Sequence, residues 1–458
     1  MSLQGVLEPS TVSGVVPEET QEIATSSESF FDKIDSLIAQ LGQTDSLPIP
    51  TSRSFEVDFL LRLVFVLCTI GFPVFSMTDL LTPLASFYDL RLYINASPNL
   101  VTVTVFGERL NRSSVYIVPL YRNIPGPFQL DLIVEYTALI RRASAGLMSI
   151  EESYRGLFEI LSRPRNRSLT RYVFAGALSS STLVGLFPNS RYEDFGIAAI
   201  GGAITQVLLF LGGRRYLISR FLRFYEFTVP FLVTFYIAVV SLIVRINVES
   251  VIISSIVWIL PGVSLTLAAM ELAAQYISLG SSRLVFTILI VFLLAFGIYA
   301  GLLLLTLFGT SARYSDGYGM SPFFALIWVP LISIGFALLL NTPFVHFPGF
   351  IIAGAVAYTL EILLRGVVED FAVVIASFCV AALGHLYSFL FKVPTLVFTN
   401  AGILMLVPGS LAVLGFVQVL GGQLIDGIGI ALQVLIISAQ IALGVLAAGV
   451  IFNSKYTI

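Results

Sequence analysis

Charge is scarce in this sequence. Charged residues make up 12% of its 458 positions, hydrophobic residues make up 57%, and the mean hydropathy is +0.92. A soluble domain carries about 25% charged residues, so this chain has too little polar surface to solvate a globule of its size. The formal net charge of −3 gives no indication of nucleic-acid binding, which needs a basic face.

Cysteine and histidine are nearly absent, which excludes most metal and catalytic chemistry. Cys68 and Cys379 each lie in an apolar helical run, and two such residues build neither a disulfide framework nor a metal site. Residues 1–162 contain no histidine, and they lack the G-x-S-x-G, P-loop and H-E-x-x-H patterns. We therefore expect no enzyme activity, no metal and no other cofactor.

The N-terminal part is the polar part of the chain. It begins MSLQGVLEPSTVSGVVPEETQE, which lacks the basic start and apolar stretch of a signal peptide. Its acidic, Pro- and Ser-rich composition predicts a disordered tail over 1–27. Residues 54–162 show two helical patterns, then β-rich runs, then two amphipathic helices, the second of which starts at Ser149. The β-rich runs are 91–97, 100–106 and 114–120. This order predicts an α+β domain.

Long apolar runs dominate the rest of the chain. A helix needs about 20 apolar residues to cross a bilayer, and about ten runs approach that length. They are 169–188, 194–213, 225–244, 249–273, 284–308, 322–341, 347–365, 370–390, 395–418 and 427–452. A run in lipid must satisfy its own backbone hydrogen bonds, so each is expected to be helical. The sequence therefore predicts an α-helical polytopic membrane protein with about ten transmembrane helices.

Two arginine clusters indicate the orientation in the membrane. They are Arg163, Arg165, Arg167 and Arg171 before the first predicted span, and Arg214, Arg215, Arg220 and Arg223 after the second. Because cytosolic loops are enriched in Lys and Arg, we expect the N-terminal domain to face the cytosol. An even number of spans returns the C-terminus to the same side. The expected membrane is the plasma membrane or an internal organelle membrane.

The apolar part contains an internal repeat. ILPGVS at 259–264 matches LVPGSL at 406–411, and the same alignment brings Gly280 onto Gly427 and Gly297 onto Gly444. A second pair is 201–211 with 353–363, at a slightly different offset. We therefore predict two halves, 169–310 and 322–452, of five helices each. An odd number of spans inverts the second half relative to the first, as in many secondary transporters.

The repeated Pro-Gly pairs predict two broken helices. Pro261-Gly262 and Pro408-Gly409 each interrupt an apolar span, because Pro removes a backbone donor and Gly permits unwinding. Broken helices at matching positions mark transporter binding sites near the membrane midplane. The alternative is a pair of packing kinks without a functional role.

Glu271 is the first candidate for a coupling or binding group. An ionisable residue at membrane depth is costly and is functional by default. Ser264, Glu271 and Gln275 are spaced by helical turns, so they share one helix face. The repeat equivalent of Glu271 is Gln418. The alternative is that the span ends earlier and Glu271 is interfacial.

Three further polar residues lie inside predicted spans. Glu361 precedes Arg365 by one turn, so an ion pair at the membrane surface is the alternative to function. His385 is a candidate proton relay, because a histidine titrates near neutral pH, and a packing role is the alternative. Asn400 is a candidate for substrate binding, although an interhelical hydrogen bond would explain it equally well.

Four segments of the chain form a recognisable pattern. The front part carries FLLRLVFVLCTIGFPVFSMTDLL and a strand that ends TVTVFG, and the membrane part carries WILPGVSLTLAAMELAAQYISLGSSRLV at 258–285 and NAGILMLVPG at 400–409. With these segments the chain resembles the threonine/serine exporter (ThrE-type) family, with its pheromone-regulated relatives, over about residues 54–452. The family pattern ends in a Ser-Gly-x-x-Arg order, whereas LGSSRL has Gly280 and Arg283 in a permuted order. The resemblance implies a secondary exporter of Thr, Ser or similar amino acids, driven by the proton gradient.

Two other functions remain open from the sequence. One is a passive channel or facilitator for small solutes, which needs no protonatable group. The other is a regulatory membrane protein without transport activity, in which the N-terminal domain does the work. The expected partners are an amino-acid substrate, protons and the lipid bilayer, and a homo-oligomer is compatible with the sequence.

Overall fold

The computed structural model describes nine stretches of the chain. They are 54–97, 100–107, 114–119, 129–163, 168–187, 190–212, 224–307, 325–368 and 371–452. The predicted tail over 1–27 lies outside these residues, as do Arg165, Arg167 and the arginine cluster between 214 and 223.

Two apolar helices open the described chain. Helix α1 covers Phe55–Thr69 and helix α2 covers Val74–Phe87. The chain turns between them at Gly71, whose φ of 84° favours glycine, and at Pro73, which precedes α2. Helix α1 is buried from Val57 to Thr69 on all of its faces. A helix without a polar face must lie inside a core, so α1 forms the centre of the N-terminal region.

A three-stranded antiparallel sheet follows, as the sequence predicted. Strands β1 (Leu90–Ser97), β2 (Leu100–Gly107) and β3 (Ser114–Pro119) pair in chain order. Alternate residues of β1 are buried, from Leu90 to Ala96, and the residues between them are exposed. This period of two arises because successive strand side chains point to opposite faces. The sheet therefore covers the core with one face only.

Two amphipathic helices complete the N-terminal region, also as predicted. Helix α3 covers Leu130–Ser144 and helix α4 covers Ile150–Ser162. Ser149 accepts a hydrogen bond from the Glu152 amide, and the Glu152 carboxylate accepts one from the Ser149 amide. This reciprocal pair satisfies two amides that the first turn leaves free, so the start of α4 is fixed by local sequence.

The N-terminal region packs directly on the apolar helices. The Leu130 amide donates to the Leu340 carbonyl at 3.1 Å. One hydrophobic cluster runs from α1 through to Phe350 and Phe398. The two parts of the chain are therefore held by a continuous apolar core and not by a loose linker.

Twelve apolar helices make up the rest of the described chain. They are α5 (Leu169–Val184), α6 (Tyr192–Gly212), α7 (Tyr225–Ser241), α8 (Val248–Ser255), α9 (Gly262–Ala273), α10 (Ile277–Leu307), α11 (Ala325–Leu339), α12 (Phe347–Arg365), α13 (Ala372–Phe391), α14 (Leu396–Leu406), α15 (Gly409–Leu420) and α16 (Leu424–Ile451). Short 3-10 turns precede α9, at Val257–Ile259, and α12, at Phe344–His346.

Among the described residues, six helices are long and apolar enough to cross a membrane, and a bent pair makes a seventh candidate. The six include α14 and α15 taken together as Leu396–Leu420, and the bent pair is Val248–Ser255 with Val257–Ala273, at 57°. The predicted spans around 169–188, 225–244 and 322–341 coincide with α5, α7 and α11, which have 16, 17 and 15 residues. These three helices are shorter than a helix needs to be to cross a membrane by itself.

Candidate functional site

Both Pro-Gly pairs separate two helices with the same backbone path. Leu260 and Val407 are extended, with φ and ψ of −66° and 125° and of −68° and 130°. Pro261 and Pro408 follow at −85° and 35° and at −83° and 33°. Each proline then precedes a 12-residue helix, α9 or α15. The two breaks are thus geometric copies of each other.

The copies meet at their glycines. A Cβ atom added to Gly262 would lie 3.0 Å from the Gly409 amide nitrogen and would collide with Val407. A Cβ atom added to Gly409 would lie 3.1 Å from the Gly262 amide nitrogen. Only a residue without a side chain permits so close a backbone approach. The two broken helices therefore cross at Gly262 and Gly409.

The ends of α9 and α15 are also alike. The Tyr276 amide donates to the Glu271 carbonyl and the Gln423 amide donates to the Gln418 carbonyl, both at 2.9 Å. Gln275 and Gly422 take the left-handed backbone at these two turns, with φ of 67° and 92°. The pairs stand at the same offset as Pro261 and Pro408, so the similarity extends over the whole of each helix.

A cavity of about 300 Å³ lies beside this crossing. Its wall combines the α1–α2 turn and α3 of the N-terminal region with α9, α13, α14 and α16. The charged residues of the lining are Asp79, which is exposed, and Arg141, which is half-buried; both come from the N-terminal region. The cavity therefore joins the charged N-terminal region to the apolar helices.

Buried polar atoms face this cavity without a protein partner. Thr266 and Asn400 are 1% and 5% exposed, and no described residue bonds the Thr266 hydroxyl or the Asn400 amide nitrogen. His385 Nδ1 is likewise unpaired among the described residues. The neighbouring Thr399 differs, since its hydroxyl donates to the Thr395 carbonyl at 3.1 Å. Buried polar groups normally find a partner, so this part of the lining suits a polar ligand.

Glu271 lies on α9 but outside the cavity lining. Its two carboxylate oxygens each accept a 2.8 Å hydrogen bond from Arg283 of α10, which makes a bidentate ion pair. Glu271 is 1% exposed. Such pairs combine charge with fixed geometry, so this ion pair ties the end of α9 to the start of α10.

The other predicted site residues are dispersed. Ser264 is half-buried on α9, and Gln275 is exposed at the turn that follows it. Gln418 is half-buried on α15, and no described residue bonds its Oε1. Glu361 pairs with Arg365 one turn on. Of the predicted polar residues, the structure brings His385 and Asn400 together at the cavity and leaves these four outside it.

Thr266, Asp79 and Arg141 line the cavity but do not stand out as site residues in the sequence. Thr266 was overlooked because a threonine in an apolar run is an ordinary helix residue, although it lies one turn from Met270 on the same face. Asp79 and Arg141 lie in the N-terminal region, and they reach the cavity only because that region packs on the apolar helices. No local pattern signals such a contact.

The apolar helices define this chain as a multi-pass membrane protein. The profile of a family described as "Putative threonine/serine exporter" matches residues 58–305, and that described as "Threonine/Serine exporter, ThrE" matches residues 325–451. The chain belongs to the threonine/serine exporter family.

Two fungal proteins share part of this sequence. Pheromone-regulated membrane protein 10 of Candida glabrata is 29% identical over 139 residues, which are 29% of this chain and 18% of that protein. The protein of the same name from Eremothecium gossypii is 22% identical over 368 residues, 77% of this chain and 48% of that protein. The chain spans about half the length of these curated relatives, or less. No solved structure matches it.

Proposed function

We propose that this protein is a secondary transporter that exports small polar amino acids of the threonine and serine type, coupled to the proton gradient. The observation that carries the proposal is the crossing of two helices broken at equivalent Pro-Gly pairs, beside a cavity with unpaired buried polar atoms. Interrupted helices expose backbone groups that bind polar solutes and ions within a membrane. The family description supports the substrate class.

Ten spans in two inverted halves, 169–310 and 322–452, are part of the proposal. Each half contributes a helix that packs on the other half. In the first half α9 packs on α16, and in the second half α15 packs on α10. At the repeat offset, α9 corresponds to α15 and α10 corresponds to α16. Gly297 and Gly444 provide a second match, because an added Cβ would lie 2.5 Å from the Phe227 and Val374 carbonyl oxygens. The boundary between the two family profiles, between 305 and 325, agrees with this division.

We place the region 54–162 in the cytosol, with the C-terminus on the same side. The arginines around the start of α5 support this orientation. On this topology, the ends of α9, α13, α14 and α16 that line the cavity are their cytosolic ends. A solute therefore enters past Asp79 and Arg141 of the N-terminal region and reaches Thr266 and Asn400 of the membrane part.

For the coupling residue we propose Glu271. Its carboxylate is held by Arg283 in this structure, so a proton competes with Arg283 for the same oxygens. Protonation releases the ion pair and frees α9 to move relative to α10. Moving one charge through about 100 mV is worth about 2.3 kcal/mol, which is sufficient to bias such a step.

Counterflow in proteoliposomes tests the proposal. The purified full chain is reconstituted with unlabelled L-threonine inside, and transient accumulation of labelled L-threonine or L-serine is measured. A carrier produces an overshoot of labelled substrate inside the vesicles. A steeper outward gradient of unlabelled L-threonine increases this overshoot. Equilibration without overshoot would indicate a passive channel instead, and no flux of either amino acid would favour the regulatory role.

A further inference from the structure

The polar and charged groups of the cavity lining are unevenly distributed between hydrogen-bond donors and acids. We infer that the cavity recognises its solute through the carboxylate, by Thr266 and Asn400, and that the α-ammonium group of an amino acid contributes little to binding. The inference rests on the proposal that this cavity is the solute site. The inferred ligands are short carboxylates, both those with an amino group and those without one.

Negative charge is scarce in the cavity lining. Among the described lining residues the single acid is Asp79, which is exposed, whereas Thr266 and Asn400 are at least nine-tenths buried. An ammonium group moved to this depth would leave water without meeting a carboxylate, and an uncompensated buried charge is expensive. The deep part of the site is therefore unsuited to an ammonium group.

Hydrogen-bond donors are available at the buried part of the cavity. The Asn400 amide nitrogen and the Thr266 hydroxyl have no partner among the described residues, and a carboxylate accepts from both kinds of group. Charge-assisted hydrogen bonds of this type are stronger than neutral ones. The one Arg or Lys side chain of the described lining, Arg141, adds positive charge on the side of the N-terminal region. The Asn400 amide nitrogen and the Arg141 guanidinium can only donate and the Thr266 hydroxyl can donate, so together these groups suit an anionic end.

Size and apolar surface complete the description of the ligand. About 300 Å³ is at the low end of small-molecule pockets, so the site suits a short solute. Leu267, Met270 and Ile403 line it with apolar surface, which accommodates a methyl or methylene group. The zwitterion of a small amino acid fits with its carboxylate at Asn400 and its ammonium towards Asp79.

Three ligands that differ in one group each test the inference. L-Threonine carries both charges, 3-hydroxybutyrate lacks the ammonium group and L-threoninamide lacks the carboxylate. Binding to the detergent-solubilised full chain is measured by calorimetry. We expect 3-hydroxybutyrate to bind within about threefold of threonine and threoninamide to bind about tenfold more weakly or worse, because a site built for hydrogen bonds rejects an analogue that lacks them.

Matched variants assign the effect to the two residues. Thr266→Val and Thr399→Val make the same change in one cavity, but the Thr399 hydroxyl is already used by its own helix. We expect Thr266→Val to weaken binding of 3-hydroxybutyrate by about tenfold and Thr399→Val to change it by less than about threefold. Asn400→Asp keeps the size and adds a negative charge, so it is expected to abolish the preference for carboxylates over threoninamide.

The outcomes separate this inference from the proposed function. Equal binding of threoninamide and threonine, or no binding of any of the three ligands, would overturn the inference whether or not the protein transports threonine. Conversely, selective carboxylate binding without any counterflow would leave the inference standing and refute the transport proposal. Thermal unfolding of each variant checks that lost binding is not lost folding.

Discussion

At the scale of single residues, the ion pair between Glu271 and Arg283 allows a direct test of coupling. Glu271→Gln keeps the size of the side chain and one acceptor oxygen but removes titration. We expect it to abolish pH-driven accumulation of threonine in proteoliposomes while exchange of internal for external threonine persists. The reason is that exchange needs only the solute site, whereas net accumulation needs a proton to be released on each cycle.

Glu361→Gln is the matched control for this variant. Glu361 also pairs with an arginine on a membrane helix, but its partner Arg365 has a side chain that is 66% exposed. Loss of an exposed ion pair has a small effect, so accumulation should remain close to that of the wild type. Wild-type dependence on pH in Glu271→Gln would refute the coupling role.

Asp58, Arg62 and Tyr154 form a buried, hydrogen-bonded cluster in the N-terminal region. Arg62 is fully buried and pairs with Asp58 at 2.8 Å, and the Tyr154 hydroxyl donates to the same carboxylate at 2.6 Å. Burial raises the pKa of Tyr154, so the hydroxyl stays protonated and remains a donor. Tyr154→Phe should lower the free energy of unfolding by about 1–3 kcal/mol, the cost of leaving a buried charged group short of a hydrogen bond.

Chemical denaturation of the full chain in detergent measures this change. Tyr93→Phe removes the same hydroxyl from a side chain that is 74% exposed on β1, and we expect it to change stability by less than about 0.5 kcal/mol. Equal effects of the two substitutions would show that the bond to Asp58 contributes nothing specific.

At the scale of elements, the crossing of the broken helices depends on two glycines. Gly262→Ala would place a methyl group against Val407 and the Gly409 backbone, and close-packed backbone cannot yield without separating α9 from α15. We expect the variant to insert normally and to lose most threonine counterflow.

The control for this variant is Gly429→Ala on α16. A Cβ atom added there meets nothing within 4 Å, so its counterflow should match the wild type. Full activity of Gly262→Ala would mean that the contact at the crossing is not needed for transport, and the proposed role of the breaks would fail.

At the scale of the whole molecule, the two proposed halves differ at positions that the repeat makes equivalent. At the repeat offset, the lining residues Thr395, Asn400 and Thr266 correspond to Val248, Ile253 and Val413. These three counterparts are buried in a single aliphatic cluster and are at most 1% exposed. On the proposed topology the cytosolic half holds the cavity, and the outer half is sealed by apolar packing.

Thiol labelling tests this asymmetry in a chain whose two cysteines are replaced by Ser. Thr395→Cys lies at the cavity and is expected to react with a hydrophilic, membrane-impermeant reagent from the cytosolic side. Val248→Cys, its counterpart, is expected to resist the reagent from both sides, because water-soluble reagents do not enter a packed aliphatic cluster. Ready labelling of Val248→Cys from outside, with Thr395→Cys protected, would show that the cavity opens to the outside and that the cytosolic half is sealed.

The sequence by itself determined the elements of this protein and the positions of their interruptions. Apolar run length, the period of β1 and the Ser149 capping box are local properties, and so is the interruption of an apolar run by Pro261-Gly262 or Pro408-Gly409. Tertiary structure alone decided which polar groups meet. The ion pair of Glu271 with Arg283, and the presence of Thr266, Asn400 and Arg141 in one cavity lining, depend on packing between different elements. Local pattern carries no information about such contacts, because each residue type alone fits an ordinary helix.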